Sequence, residues 1–378
     1  MAYYRRRNVV AWFRDRADAT EASEQDPFEP IPGFPGVHRI RKRADGGCGF
    51  LSADNRCRIH EELGADRKPL VCRLYPYSFH PASDAVVVSA SFGCPTIVAN
   101  QGLPIGTGAA REAIEALRDE WLGSRSTAAT SRQLVDGRAI DARSARVLRE
   151  SLLAMLKAPA VDIRINVRRI AAALDDLTRR RVLSLTDDAF AEYIKLKLPH
   201  AASTADAPPS RGPTRIGRLL QYGFLYAVAA TRLAYEHRDY SPGRLRLTRL
   251  QLLAHFHRLA PAVDRVNVGA LHGHAVDINA PEIRPIVFHY LRSTLETLGG
   301  RERPLIDDLA MAVSFLNAAC ALAAMNANAA GRTVDREGFS EALMEAVQLS
   351  HSDDRGVMAT LLRRLSAGTD ALWHLAAR

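Results

Sequence analysis

Four of the five cysteines, Cys48, Cys57, Cys72 and Cys94, fall within 47 consecutive residues, at the spacing C-x8-C-x14-C-x21-C. A chain of 378 residues with five cysteines is no disulfide scaffold. Thiols gathered this closely in a reducing compartment point to a metal centre instead. No C-x2-C pair is present, so the spacing matches neither a zinc ribbon nor a common ferredoxin pattern.

The residues around each cysteine predict how four thiols could meet. GGCGFLSADNRCRIH reads as two short strands joined by a turn at Ala53–Asp54–Asn55, which brings Cys48 towards Cys57. A short helical turn then covers Ile59–Leu63 and stops at Gly64. KPLVCRLYP places Cys72 in a second turn, ended before Pro76. AVVVSASFGCP reads as a strand leading to Cys94, with Pro95 at the first helical position and Cys94 as its N-cap. Residues 39–73 hold nine Lys/Arg and five acids, a surplus that would offset thiolate charge if these side chains face the cluster.

The remainder reads as helix. Ile163, Val167, Ile170, Leu174 and Leu177 recur at steps of four and three, the signature of one apolar helical face. Asp141 is placed to cap a helix whose face carries Ala145, Leu148, Leu152 and Leu156. Further helical patterns fall at 109–121, 186–197, 215–236, 246–259, 285–298, 305–327, 335–349 and 355–376. No alternating strand stands out beyond residue 90. Residues 1–47 look irregular, and EQDPFEPIPGFPG (24–36), with four prolines, reads as a loop. The expected fold is therefore mainly α. A small cysteine-rich metal-binding module with short strands occupies 1–108 (core 46–105). Helical regions follow over 109–200 and 216–378, joined by an Ala/Ser/Pro-rich linker at 201–215.

Composition adds exclusions. With 47% hydrophobic and 25% charged residues the chain is ordinary globular protein. The segment Leu309–Met325 is uncharged, but it is Ala-rich, interrupted by Asn317 and preceded by two aspartates, so a buried core helix is expected rather than a membrane span. MAYYRRRNVVAWFRDRADAT has no apolar stretch of signal-peptide length. A cytoplasmic protein with no membrane partner and reduced thiols is the expectation. Cys320, inside the apolar helix, is expected to be a small buried thiol.

CGFLSADNRCRIHEELGADRKPLVCRLYP followed by SFGCP resembles the cysteine-cluster family of zinc- or iron-chelating proteins, which includes the flagellin lysine-N-methylases. The family pattern is C-x-F-L, then C-x-I-H/Y, a glycine, K/R-P-x-x-C-R-x-Y-P and a later C-P. Cys48, Phe50, Leu51, Cys57, Ile59, His60, Gly64, Lys68, Pro69, Cys72, Arg73, Tyr75, Pro76, Cys94 and Pro95 each match it. The likeness covers residues 46–105. It implies metal binding, and in one branch methyl transfer from S-adenosylmethionine to lysine side chains of a protein partner. The dense C-x2-C-x2-C-C motif that usually opens the family pattern is absent, because no cysteine precedes Cys48.

Other constellations carry less. No glycine-rich donor-binding turn, C-x3-C-x2-C, P-loop or H-E-x-x-H is present. His272, His274 and Asp277 have metal-ligand types in what reads as a polar turn. His255 and His257, two apart in a helical pattern, face different sides. His60 is a secondary ligand candidate, and Tyr75 is expected to pack over the cluster. The net charge of +9 and the run Arg5–Arg6–Arg7 suit nucleic acid, though short basic tails are commonly just solvated.

The leading expectation is a metal-binding cysteine-cluster protein with ligands Cys48, Cys57, Cys72 and Cys94. An iron–sulfur cluster of the 4Fe-4S type is favoured over zinc, because of the uneven spacing and the Cys94–Pro95 step. The resemblance extends this to a protein lysine N-methyltransferase. The alternatives are a non-catalytic metalloprotein with a structural site and a basic nucleic-acid-binding protein.

Overall fold

The computed structural model describes residues 28–30, 38–41, 43, 47–81, 86–102, 105–123, 132–135, 137–159, 162–203, 276–298, 304–351, 372 and 375. The helices expected at 215–236, 246–259 and most of 355–376 lie outside the described residues, as do Arg5–Arg6–Arg7, His255, His257, His272 and His274, and all but the first three residues of the 201–215 linker. The chain forms two compact units. Unit 1 takes 1–75 and 105–125; unit 2 takes 76–104 and 126–378. Their described parts are mostly helical, with three small two-stranded antiparallel sheets.

In unit 1, β1 (Phe28–Pro30) pairs antiparallel with β2 (His38–Ile40), Phe28 facing Ile40 in the register. This corrects the reading of residues 1–47 as irregular and of 24–36 as wholly loop. Three-residue strands are too short to show an alternation, and the ladder draws on a tertiary contact instead. Phe28 is buried with its ring 5.8 Å from that of Phe50, and Phe28, Phe50 and Ile59 make a small core. Helix α1 (Arg58–Leu63) follows and ends at Gly64, whose φ of 92° and ψ of 161° lie in a region only glycine enters cheaply. A 3₁₀ turn (Ala65–Arg67) leads to α2 (Leu70–Leu74). The unit is completed by α4 (Gly108–Gly123), which buries Ile114 and Trp121.

Unit 2 opens with the hairpin β3 (Tyr77–Pro81) and β4 (Val86–Ala90), then a single helical turn, α3 (Pro95–Val98). A second hairpin, β5 (Arg132–Val135) with β6 (Arg138–Ile140), corrects the expectation of no strands beyond residue 90. Its signal was the pair Asp136–Gly137, a strong two-residue hairpin motif, and Gly137 sits at φ 81°. A bulge between Gln133 and Val135 blurs the alternation that would have shown it.

The helices are α5 (Ala142–Lys157), α6 (Ile163–Leu177), α7 (Arg180–Leu183), α8 (Asp187–Ser203), α9 (Arg284–Glu296), α10 (Leu305–Ala329) and α11 (Arg336–His351). The capping expected of Asp141 is present: its carboxylate accepts from the Ser144 N–H at 2.6 Å. The five residues read as the α6 face are all buried. Asp162 caps α6, accepting from the Arg164 N–H at 2.7 Å, and receives a second hydrogen bond from the Asn279 amide at 2.6 Å. Asn279 in turn accepts from the Ile163 N–H at 2.8 Å. This exchange ties the start of α6 to the turn before α9.

Helix α10 is the centre of unit 2. Leu305–Ala327 is long and apolar enough to cross a membrane, but 94% of its apolar window is buried inside the protein, as in a core helix. Cys320 is fully buried there, as expected. The Tyr290 hydroxyl of α9 donates to the Ala312 carbonyl of α10 at 2.9 Å.

Candidate metal centre

Three of the four clustered cysteines are set by short elements of unit 1. Cys48 begins a tight turn, its carbonyl accepting from the Leu51 N–H at 3.0 Å. Leu51 then pairs with Cys57 in a single antiparallel bridge, closed by Ser52 N–H to Arg56 carbonyl at 2.9 Å and Arg58 N–H to Phe50 carbonyl at 2.9 Å. Asn55 turns the chain at φ 61°, a left-handed geometry that asparagine tolerates better than most residues. The expected hairpin is thus reduced to one bridge and a turn. Cys57 is the N-cap of α1, and Cys48 and Cys57 both pack against the Phe28–Phe50–Ile59 core. Cys72 lies in α2, as the sequence suggested.

All five cysteines are thiols rather than disulfides, and the four clustered ones are half-buried. Burial pushes the Cys72 thiol up; the negative charge of Cys48 adds to this, the Lys68 ammonium opposes it, and Cys57 raises it further. Cys48, Cys57 and Cys72 are therefore close enough for their charges to be felt. They are not a closed ligand set, since no three His, Cys, Asp or Glu side chains among the described residues are arranged to hold one ion. The donor chemistry nonetheless suits a thiophilic metal. A coordinated cation would offset the burial and neighbouring charge that push the Cys72 thiol up.

Cys94 is placed by unit 2. It caps α3 ahead of Pro95, as expected, without a side-chain cap hydrogen bond. Its loop is fastened on both sides. Phe92 is buried edge-on against Tyr290, with centroids 5.0 Å apart, and Val98 is buried. The Gln348 amide donates to the Gly93 carbonyl at 3.0 Å, and the Arg336 guanidinium to the Ala99 carbonyl at 3.1 Å. Sequence proximity groups Cys94 with the other three; buried Phe92 and Val98 are what assign its loop to unit 2.

The basic residues of 39–73 are largely engaged locally. Arg56 pairs with Asp54 and with Glu61 (2.8 Å), Arg58 with Glu62 (3.6 Å), Arg67 with Asp66 (3.7 Å) and Arg73 with Glu120. Arg43 donates to the carbonyls of Leu51 (3.3 Å) and Ser52 (3.0 Å), so it braces the turn between Cys48 and Cys57. Lys68 is the cation whose charge bears on Cys72. His60 is exposed on α1. Tyr75, expected to pack over the cluster, is instead 55% exposed, at the end of α2 where the backbone turns extended ahead of Pro76. Asp277 is exposed and accepts from the Asn279 N–H at 3.0 Å, a polar turn as expected. Glu120 had no marker in the sequence: it lies 48 residues beyond Cys72 on an ordinary amphipathic helix.

No family model, curated protein or solved structure matches this chain.

Proposed function

We propose that this chain is a metalloprotein whose cysteine cluster binds one metal centre, an iron–sulfur cluster or zinc. The observation that supports the reading is the placing of Cys48, Cys57 and Cys72 on neighbouring short elements of unit 1, the first two packed against one small core. The sequence spacing offers Cys94 as a candidate fourth ligand. A thiol set of this kind is kept in a reducing compartment, which makes the cytoplasm the expected location. The bound metal would supply charge to hold the thiolates and, if iron–sulfur, electron storage. Lysine N-methylation of a protein partner with S-adenosylmethionine stays attached to the resemblance at residues 46–105.

The test is anaerobic purification of the full chain with metal and sulfide analysis and an absorption spectrum. Iron with labile sulfide supports the iron–sulfur form, and stoichiometric zinc in a colourless protein supports the zinc form. Neither metal, after reconstitution with each, sinks the proposal. Cys94→Ser in the same assay reports whether the set has three thiolates or four. Transfer of labelled methyl groups to cell lysate by the metal-loaded chain tests the lysine methylase reading.

A further inference from the structure

Helix α2 has five residues, too few to be stable alone, and no side chain caps it. One side chain, Arg73, braces it with two bonds. The Arg73 Nε donates to the Lys68 carbonyl at 3.2 Å, closing the turn over itself. The Arg73 Nη2 donates to Glu120 Oε1 on α4. Arg73 is only 15% exposed and Glu120 35%, so the pair is partly shielded from solvent. Helix α4 is the longest element among the described residues of unit 1 and is anchored through buried Ile114 and Trp121. The residue next to Cys72 is thus fastened at one end to the turn's own backbone and at the other to a well-anchored helix.

From this geometry we infer that Glu120 is a positioning residue for Cys72, acting through Arg73. Glu120 does not touch a metal. It fixes the guanidinium, the guanidinium fixes the turn, and the turn sets where the Cys72 sulfur stands relative to Cys48 and Cys57. The metal arm of the test rests on the proposed metal centre; the labelling arm does not.

The full chain and its Glu120→Gln and Glu120→Asp variants are freed of metal with a chelator and labelled with iodoacetamide. The label on Cys72 and Cys94 is followed by peptide mass spectrometry. Glu120→Gln is expected to speed labelling of Cys72 several-fold and leave Cys94 and the far-ultraviolet helical signal unchanged. Glu120→Asp, which keeps the charge, falls between native and Glu120→Gln. In the metal arm, the chains are loaded with cobalt and challenged with chelator. Release from Glu120→Gln is expected to be about tenfold faster, the low end of what residues supporting a metal site contribute. Native-rate labelling of Cys72 in Glu120→Gln overturns the inference, as does equal acceleration at Cys72 and Cys94. A native chain with no sulfur-to-cobalt absorption band sinks the metal centre instead, and the labelling arm then decides the Glu120 assignment alone.

Discussion

Replacing Asp162 with Ala removes one carboxylate that holds two distant stretches of unit 2 together. Three things are lost: the cap on the Arg164 N–H, the bond from the Asn279 amide, and the bonds from the Arg164 guanidinium at 2.7 and 2.9 Å. An N-cap is worth about 1 kcal/mol, and hydrogen bonds to a charged group about 1.5–3 kcal/mol. The Asp162 side chain is 28% exposed, so part of the second figure is screened. The expected loss is about 2–3 kcal/mol, or roughly 4–10 °C in the melting temperature of a unit this size. The loss depends on pH in a definite direction. Burial alone would raise the Asp162 carboxyl, but hydrogen bonds from Asn279 and from the Arg164 backbone and side chain, with the Arg164 charge, leave it below its ordinary value of 3.8. Its contribution is therefore complete above that value and disappears as pH falls through the lower folded value. The assay is denaturant unfolding followed by circular dichroism at pH 7 and at a series of acidic pH values, with Asn279→Ala and the double variant completing a cycle. A loss below about 0.5 kcal/mol at pH 7, the range of an ordinary surface substitution, would refute the argument, as would a gap that persists unchanged into acid.

Three further outcomes are expected. Cys72→Ser is expected to empty the proposed metal centre in elemental analysis and to spare the helical circular dichroism, because unit 2 builds its core from other residues; metal ligation would contribute on the order of 10 kcal/mol to the stretch that holds the ligands. Gly64→Ala loosens unit 1 by about 1–3 kcal/mol. Its new methyl would stand 2.9 Å from the Asp66 carboxylate at φ 92°, and faster hydrogen exchange confined to residues 58–74 is the readout. Phe339→Ala, at a fully buried side chain, lowers the stability of unit 2 by about 3–5 kcal/mol in denaturant titration.

The helices were legible wherever burial on one side imposes a 3.6-residue period. The Ile163–Leu177 face and the Asp141 cap are local facts, and the folded chain keeps both. The turns holding Cys57, Cys72 and Cys94 were legible too, because Gly64, Pro76 and Pro95 punctuate them. β1 and β2 were not, since three residues carry no period and Phe28 finds Phe50 only in three dimensions. β5 and β6 could have been found from Asp136–Gly137. Tyr75 was misjudged because a motif gives a residue's neighbours in sequence and not the side its ring faces. Glu120 was beyond reach, since nothing local distinguishes a glutamate that meets Arg73 from any other on a polar helix face.

Because unit 1 takes its residues from 1–75 and again from 105–125, the chain leaves it at Tyr75 and comes back thirty residues later. The order of synthesis follows from this. When Cys72 has emerged from the ribosome, the helix carrying Glu120 has yet to emerge, so the Arg73 mooring cannot form until the whole stretch 76–104 is out. During that interval three thiols are present without their final geometry, exposed to oxidants and to stray metal ions. No single proteolytic cut separates the two units either: cleavage at Tyr75 strips α4 from the thiols, and cleavage after residue 125 leaves Cys94 and its hairpin attached to them.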